Sequence, residues 1–515
     1  MSPDRIPCDA CRQRRIRCDG LLPCAGCQRS DLICTRDYVR KRRGPKCGHG
    51  KKIAALRAAQ RAQRAQSSSG EEESREKETP QPTGIPNTSN AASVTAVQVR
   101  AVQGPEKCTL PEDLTSLMRR CVEVYLDQLY PIMPVIRPSE LRSWLERSLR
   151  PNEHSMLLAL CAMVTAFLCG RSQAIVGDVE WEPVARFFVQ KSLAERSLYS
   201  FVDDPTVISV LGSFFLAVTY FELHEDRRSW FYLREAITLA QALGLHTEHY
   251  YHGMSPVDAL YCRRIHDILF VTERSFAVSR HKPVLLSHPL PAGRTGGNEC
   301  EEQPEVDRGF RQLVQVYSQL DSEFLTLWSR EGWADSGSLW TTGGIDFVLR
   351  ECGAMPETQK ADIYVTQHWL DLAFWRAALQ QGLLSSTASS RSRLFSYPED
   401  IALSLLGVLS SLPTESVEAH GLGIYEKIYE VGEALADLIN CSMRLTVWPE
   451  SIAQNLERLR AIHQHLALTP NSRLKFADSL GRRLCSYYID YSGPAATLSA
   501  VDAVDEVVED EELYS

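Results

Sequence analysis

Residues 8–34 read CDACRQRRIRCDGLLPCAGCQRSDLIC, and the six cysteines in this stretch decide the first part of the fold. Cys8, Cys11, Cys18, Cys24, Cys27 and Cys34 are spaced C-x2-C-x6-C-x5-C-x2-C-x6-C, so one C-x2-C-x6-C unit occurs twice. Two cysteines separated by two residues can converge on one tetrahedral metal ion, and structural zinc normally takes four ligands. Six thiolates satisfy one zinc with two to spare, or two zincs if two sulfurs bridge both ions. The twofold repeat favours two ions. A disulfide framework belongs to oxidising compartments, and the opening MSPDRIPCDACRQRR lacks the apolar stretch of a secretory signal. The chain is therefore expected to be intracellular, with reduced thiols. Residues 5–38 hold few large apolar side chains, so metal binding has to supply the folding free energy of this module.

Between Cys11 and Cys18 lies RQRRIR. If a helix begins at Cys11, Arg12, Arg15 and Ile16 share one side, while Arg14 and Arg17 project from adjacent faces. Guanidinium groups on a metal-anchored helix suit phosphate contact and the major groove, where arginine donates two hydrogen bonds to guanine O6 and N7. The plainer alternative is a solvated basic surface. Just beyond, residues 40–46 (RKRRGPK) add Arg40, Lys41, Arg42, Arg43 and Lys46, followed by Lys51 and Lys52. This block reads as a phosphate contact, a nuclear localisation signal, or both. Residues 1–66 carry 17 Lys/Arg against 5 Asp/Glu, whereas the remaining 449 carry 39 against 60. A basic module for a polyanion is thus attached to an acidic body.

The six-cysteine spacing, the run CDACRQRRIRCDG and Pro23 before Cys24 resemble the fungal binuclear zinc cluster (Zn2Cys6) of transcription factors. The resemblance implies two zinc ions per chain, with Cys8 and Cys24 bridging them. It also implies double-stranded DNA as partner, read as a GC-rich, CGG-type triplet by the helix after the second cysteine. Arg14 and Arg15 stand at the reading positions, and the family more often has lysine at the second. Residues 230–283 resemble the fungal-specific regulatory, or middle homology, domain. Arg263, Arg264, Arg280 and Pro283 fit its pattern, as does Tyr130-Pro131-Ile132-Met133-Pro134. Ile265-His266 departs from it where an aromatic residue is common. The resemblance implies a helical regulatory domain over roughly 110–490.

The chain of 515 residues, with 44% hydrophobic and 23% charged residues, is too apolar to be wholly disordered. The expected fold is a small Zn2Cys6 binuclear cluster module plus a large all-α regulatory domain, joined by a disordered linker. The cluster takes 5–38. A basic linker and short Ala-rich helix take 39–66, where IAALRAAQRAQRAQ has six alanines and no Gly or Pro. Residues 67–108 lack Leu, Met and aromatics and read as disordered. The all-α domain takes 109–490, and 491–515 form an acidic tail with seven acids in its last fifteen residues, read as an activation segment or a solvated end.

In the body, Leu114, Leu117, Met118, Cys121, Val124 and Tyr125 recur at helical spacing before Pro131 stops them. Residues 206–221 read as a central buried helix. Trp230, Leu233, Ile237, Ala240 and Leu243 mark the next helix, closed by Gly244, and Ser255, Pro256 and Asp258 open another. The stretches 292–307 and 385–393 read as surface loops. Met156 to Cys169 is the longest nearly unbroken apolar run, too short to span a bilayer, so no membrane is expected. Asp203-Asp204 reads as a helix cap, and His246, His249 and His252 as loop histidines rather than a metal site. The ten other cysteines read mostly as small apolar core residues.

These features predict a zinc-dependent, nuclear regulator of RNA polymerase II genes in a fungus, an activator that recruits coactivators. Repression is the rival within the family. The rival outside it is a ligand-binding or enzymatic helical body carrying a zinc nucleic-acid module. No phosphate-cradling Gly loop, G-x-S-x-G or metalloprotease pair occurs, so no catalysis is expected. One triplet discriminates little in a genome, so a second contact is needed. A homodimer supplies one, yet Ile53 and Leu56 are followed in an a/d register by Gln60 and Gln63, a poor zipper. Monomeric binding extended by the basic linker is the other option.

Overall fold

Helical periodicity in the sequence becomes helix in the computed structural model, which describes residues 8–14, 18–19, 21, 23–30, 32, 34–35, 114–168, 180–290, 303–321, 324–325, 328, 355–445 and 449–492. Among these residues there is no strand. The chain divides into two compact units, Met1–Arg100 and Ala101–Ser515. The first contains helices α1 (Asp9–Gln13) and α2 (Ala25–Gln28). The expected basic linker and Ala-rich helix at 39–66, the linker at 67–108 and the tail beyond Ser492 lie outside the described residues.

The second unit is all-helical among the described residues, with chain neighbours packed on one another as short connections between amphipathic segments allow. Its first helix, α3 (Leu114–Val124), buries Leu117, Met118, Cys121 and Val122 and widens into a π turn, Tyr125–Leu129, before Pro131. There follow α4 (Pro138–Trp144), α5 (Pro151–Phe167), α6 (Trp181–Arg196), α7 (Val207–Glu222), α8 (Asp226–Leu243), α9 (Pro256–Arg280) and α10 (Pro304–Tyr317). After these come α11 (Glu357–Gln380), α12 (Tyr397–Ser411), α13 (Thr414–Glu418), α14 (Leu422–Leu445), α15 (Pro449–Leu466) and α16 (Asp478–Ser492). The apolar run at 156–167 is buried all round within α5, as its lack of a polar face requires. No helix among the described residues is long and apolar enough to cross a membrane.

Two cores meet at α11. Trp369, Leu370, Ala373 and Phe374 belong to the core built with α3–α10. Ala361, Val365 and Leu372 belong to the second, built with α12, α14, α15 and α16. This central helix therefore has apolar residues around its circumference, and its sequence shows no clean stripe.

The helix ends follow their local chemistry. Gly244 closes α8 at φ 85°, a left-handed conformation that favours glycine. Ser255 accepts from the Asp258 N–H and Pro256 opens α9, as the sequence predicts. Two expectations are corrected. The loop read at 292–307 ends earlier, because Pro304 starts α10 with Glu305 and Asp307 in its first turn. Asp203-Asp204 caps no helix; Thr206 caps α7 by accepting from the Ser209 N–H, and Asp203 accepts a hydrogen bond from Ser200. Among the described cysteines outside the cluster, Cys121, Cys161 and Cys262 are buried as expected, Cys485 is half-buried and Cys441 is exposed.

Candidate metal centre and nucleic-acid interface

Each C-x2-C unit folds as the start of a helix. Cys24 stands before α2 with an extended backbone, and its sulfur accepts from the Cys27 N–H at 3.3 Å. The Cys11 N–H likewise bonds the Cys8 sulfur at the start of α1. This is N-cap geometry, with sulfur in place of the usual oxygen. It explains why α1 begins at Asp9 and not at Cys11, where the sequence placed it. Asp19, in the loop joining the halves, accepts from the Leu21 N–H at 3.0 Å and the Ala25 N–H at 2.8 Å. The two ends of the module are tied by Asp9 N–H to Thr35 O, 2.9 Å, and by the Thr35 hydroxyl to Asp9, 3.1 Å.

The fold brings all six cysteines together in two overlapping groups. Sulfurs of Cys8, Cys11, Cys18 and Cys24 lie within 4.8 Å of one another, and so do those of Cys8, Cys24, Cys27 and Cys34. Cys8 and Cys24 are in both. The Cys8–Cys24, Cys8–Cys27 and Cys11–Cys24 sulfur separations are 3.7, 3.5 and 3.5 Å. A tetrahedron with zinc–sulfur bonds of about 2.3 Å has edges of roughly 3.7–3.8 Å, whereas a disulfide needs about 2.05 Å. All six are free thiols. The donor set therefore fits two zinc ions sharing two sulfurs.

Electrostatics distinguish the shared pair. The Cys11 N–H holds the Cys8 thiol below its ordinary range. Burial would raise Cys24, but the Cys27 N–H together with hydrogen bonds from the Cys27 and Cys11 thiols outweighs it, and Cys24 also lies low. Burial pushes the Cys27 thiol up, and hydrogen bonding to Cys24 followed by burial pushes up Cys11. The two sulfurs common to both groups are thus readier than Cys11 and Cys27 to exist as thiolates, the form that binds metal. Cys8, Cys11, Cys24 and Cys27 are fully buried, and among the described residues the partly buried apolar side chains packed on them are Ala10, Cys18 and Cys34. No apolar side chain larger than these contributes a core to the described part of the module.

Of the arginines singled out in the sequence, Arg12 lies in α1 and its side chain is outside the described residues. Arg14 follows α1, is exposed, and donates to the Ser30 hydroxyl at 3.1 Å. Such an exposed bond is worth little, so DNA could replace it at small cost. Arg15, Arg17, Arg40, Lys41, Arg42, Arg43 and Lys46 lie outside the described residues. His249 lies within the short helical turn Glu248–Tyr251 and not in a loop, and it packs edge to face at 5.5 Å on His252, which follows the turn. Among the described residues the cysteines alone form metal-ligating groups.

In the body, the arginines carrying the regulatory-domain resemblance are structural. Arg264 is buried and pairs with Asp307 at 3.0 Å, while reaching Pro134 O at 3.4 Å. The 130–134 and 263–264 segments therefore meet, and the Tyr130 and Tyr261 hydroxyls bond at 2.7 Å beside them. Arg263 pairs with Glu248 and lies over the Tyr251 ring. Arg280 joins α9 to α14 through Glu426, 2.8 Å, and to α8 through Asp226. Pro283 O accepts from Arg234. Sequence reading missed Glu273 and Arg274. Glu273 accepts from the N–H groups of Leu285 and Leu286, and Arg274 donates to the carbonyls of Leu286, Ser287 and Leu320. Burial pushes Arg274 down to about 10. Glu273 also pairs with Arg234 at 2.7 Å, but the other hydrogen-bond partners of Glu273 and Arg274 are backbone groups, which leave no mark in the sequence.

Residues 6–44 match the family described as Fungal Zn(2)-Cys(6) binuclear cluster domain, and residues 122–291 that described as Fungal specific transcription factor domain. A probable sucrose utilization protein of Candida albicans is 25% identical over 452 residues, covering 86% of this chain and 80% of that protein. A maltose fermentation regulatory protein of Saccharomyces cerevisiae is 23% identical over 448 residues, 86% of each chain. The arabinolytic transcriptional activator of Emericella nidulans is 46% identical over only 41 residues, 8% of this chain and 5% of that protein. No solved structure matches the chain.

Proposed function

Because the chain belongs to the fungal Zn(2)-Cys(6) binuclear cluster transcription factors, we propose that it activates genes for the use of a disaccharide. Membership makes it a zinc-dependent, DNA-binding transcription factor and not an enzyme, with two zinc ions in its cluster. The observation that carries the finer reading is the span of the resemblance. The sucrose and maltose relatives align over 86% of the chain, body as well as cluster, whereas the arabinolytic activator aligns over 41 residues. A likeness restricted to the cluster speaks only for DNA binding; one that runs through the regulatory domain supports a shared signal.

In this reading Cys8, Cys11, Cys18, Cys24, Cys27 and Cys34 hold the ions, with Cys8 and Cys24 bridging. Supporting it are the two overlapping sulfur groups. Arg12, Arg14, Arg15 and Arg17 face a CGG-type, GC-rich half-site. Arg40, Lys41, Arg42, Arg43 and Lys46 contact phosphates and direct the chain to the nucleus. The division into cluster at 5–38, linkers at 39–66 and 67–108, and regulatory domain at 109–490 follows from composition and helical pattern. Residues 491–515 recruit coactivators through alternating acidic and apolar side chains.

Genome-wide occupancy of the tagged chain, in cells grown on sucrose, maltose or glucose, tests this. Bound regions are expected to contain CGG triplets upstream of disaccharide transport and hydrolysis genes, with those transcripts falling on deletion. Transcripts that rise on deletion assign repression instead, and occupancy unrelated to sugar genes removes the reading.

A further inference from the structure

The segment 385–393, SSTASSRSR, reads in sequence as an unremarked surface loop. In the structure its last residues form one wall of a solvent-open cavity of about 500 Å³, whose other walls are α11 and α12. This falls within the roughly 300–1,000 Å³ of ordinary small-molecule sites. The wall is anchored: Ser385 N–H donates to Arg393 O at 3.0 Å, and the Trp375 indole N–H donates to Leu394 O at 2.9 Å.

We propose that this cavity between α11, α12 and the 390–393 segment binds a neutral, hydroxyl-rich ligand of disaccharide size. The inference rests on the sugar-utilisation reading above and adds to it the place where the sugar meets the chain. The first argument is the mixture of surfaces. Phe374, Trp375 and Tyr397 offer aromatic rings, while Asp371, Asp400, Arg391 and Arg393 offer planar groups with paired hydrogen-bonding atoms. A sugar presents both counterparts: a C–H face that packs on rings, and neighbouring hydroxyls that bridge a carboxylate or guanidinium.

The second argument is charge. Two arginines share the cavity with two aspartates, so these four groups sum to zero. A phosphorylated ligand would meet Asp371 and Asp400 as well as the arginines, and a purely apolar one would strip water from charged groups without repayment.

The third argument is separation. Buried or half-buried arginine pairs elsewhere in the body close to hydrogen-bonding distance, Arg264–Asp307 at 3.0 Å, Arg280–Glu426 at 2.8 Å and Arg376–Glu430 at 2.8 Å, while Lys475–Asp226 and His420–Asp362 stay at 3.8 and 3.9 Å. In the cavity, Arg391–Asp400 stays at 3.9 Å and His368–Asp371 at 3.8 Å. Groups held beyond direct contact keep their hydrogen-bonding capacity for a hydroxyl placed between them. A second cavity among the described residues, lined by Phe214, Phe221 and Phe276 and by charged groups such as Arg280 and Lys427, is only about 150 Å³ and too small for such a ligand.

The test is calorimetric titration of the zinc-loaded full chain with sucrose and, separately, with maltose. At least one is expected to bind saturably. Ser404→Trp, which fills the cavity from an exposed position on α12, is expected to weaken that binding at least tenfold while leaving DNA binding intact. Asp371→Asn, of the same shape, is expected to weaken it as well, and carries the test if the tryptophan variant does not fold. Three results overturn the proposal: no binding of either sugar by chain that still binds DNA, binding unaffected by the folded variants, or sucrose 6-phosphate binding at least as tightly as sucrose. The first of these leaves the occupancy experiment, and the reading it tests, untouched.

Discussion

Replacing Cys8 by Ser separates shared sulfurs from terminal ones. Cys8 belongs to both four-sulfur groups, so Cys8→Ser leaves each ion with three thiolates. Cys18→Ser depletes one group and leaves Cys8, Cys24, Cys27 and Cys34 complete. A structural zinc contributes an apparent 10–16 kcal/mol, order of magnitude, to folding at pH 7. A fully buried large apolar side chain contributes about 1.5–3 kcal/mol, and among the described residues of this module the buried ones are cysteines alone. With both sites damaged, nothing of comparable size remains among the described residues to hold the fold. Native mass spectrometry of the full-length chain should find two zinc ions in the wild type, at least one in Cys18→Ser or Cys11→Ser, and none in Cys8→Ser or Cys24→Ser. Gel shifts on a CGG-containing duplex should fail for the latter pair. A Cys8→Ser chain that keeps an ion as firmly as Cys18→Ser would refute the sharing, and DNA binding that survives exhaustive chelation would refute the dependence on metal altogether.

Arg15→Ala should cost about 1–3 kcal/mol of binding to a CGG site, measured by titration against specific and scrambled duplexes; equal loss on both would make Arg15 a phosphate contact. Gly309→Ala should destabilise the body by about 2–4 kcal/mol in denaturant melts, because a Cβ there lies 2.0 Å from Gln359 Oε1 and displaces an amide that donates to Pro131 O and Val306 O; an unchanged midpoint contradicts this packing. Glu222 is buried, and burial raises its carboxyl to about 8 despite the Leu422 N–H and Asn471 that bond it. Its folded pKa exceeds the unfolded one, so its contribution is fully present below about pH 4.5 and is lost as pH rises toward 8, at up to about 1.4 kcal/mol per pH unit; Glu222→Gln should flatten that slope in pH-dependent melts, and parallel wild-type and variant curves would count against it.

The cluster was legible because metal chemistry fixes ligand number. Six cysteines in a repeated spacing leave few solutions, and four ligands per zinc turn six into a shared pair. The hydrogen bonds that aim the sulfurs were not legible. Cys8 and Cys24 act as helix caps, which shifts α1 to Asp9, and Asp19 caps the second helix from six residues upstream. In the body, α3, α7, α8 and α9 follow the 3.6-residue pattern and ordinary end signals. The start of α10 was lost inside AGRTGGNECEEQPEVD, where glycines and acids outweighed Pro304, although proline followed by Glu305 and Asp307 is itself a helix-start signal. Helix α11 faces two cores at once, so its two roles could not be separated by periodicity.

The long-range charge pairs were the least readable feature, and they bear most directly on how the chain meets DNA. Asp307 is 43 residues from Arg264, and Glu426 is 146 from Arg280. By sequence alone, Arg263 and Arg264 form a basic pair as conspicuous as those near the cluster. A buried guanidinium is tolerated only when paired and hydrogen-bonded, and Arg264, 2% exposed, meets that condition through Asp307 and Pro134 O. Arg280 meets it through Glu426 and Asp226. These cations are committed to fixing helices against one another and are unavailable to phosphates. The 449 residues after position 66 also carry a net excess of 21 acids, which repels a polyanion. The net attraction to a polyanion therefore resides in the first 66 residues, whose 17 Lys/Arg exceed 5 Asp/Glu, and the paired arginines of the body serve its packing.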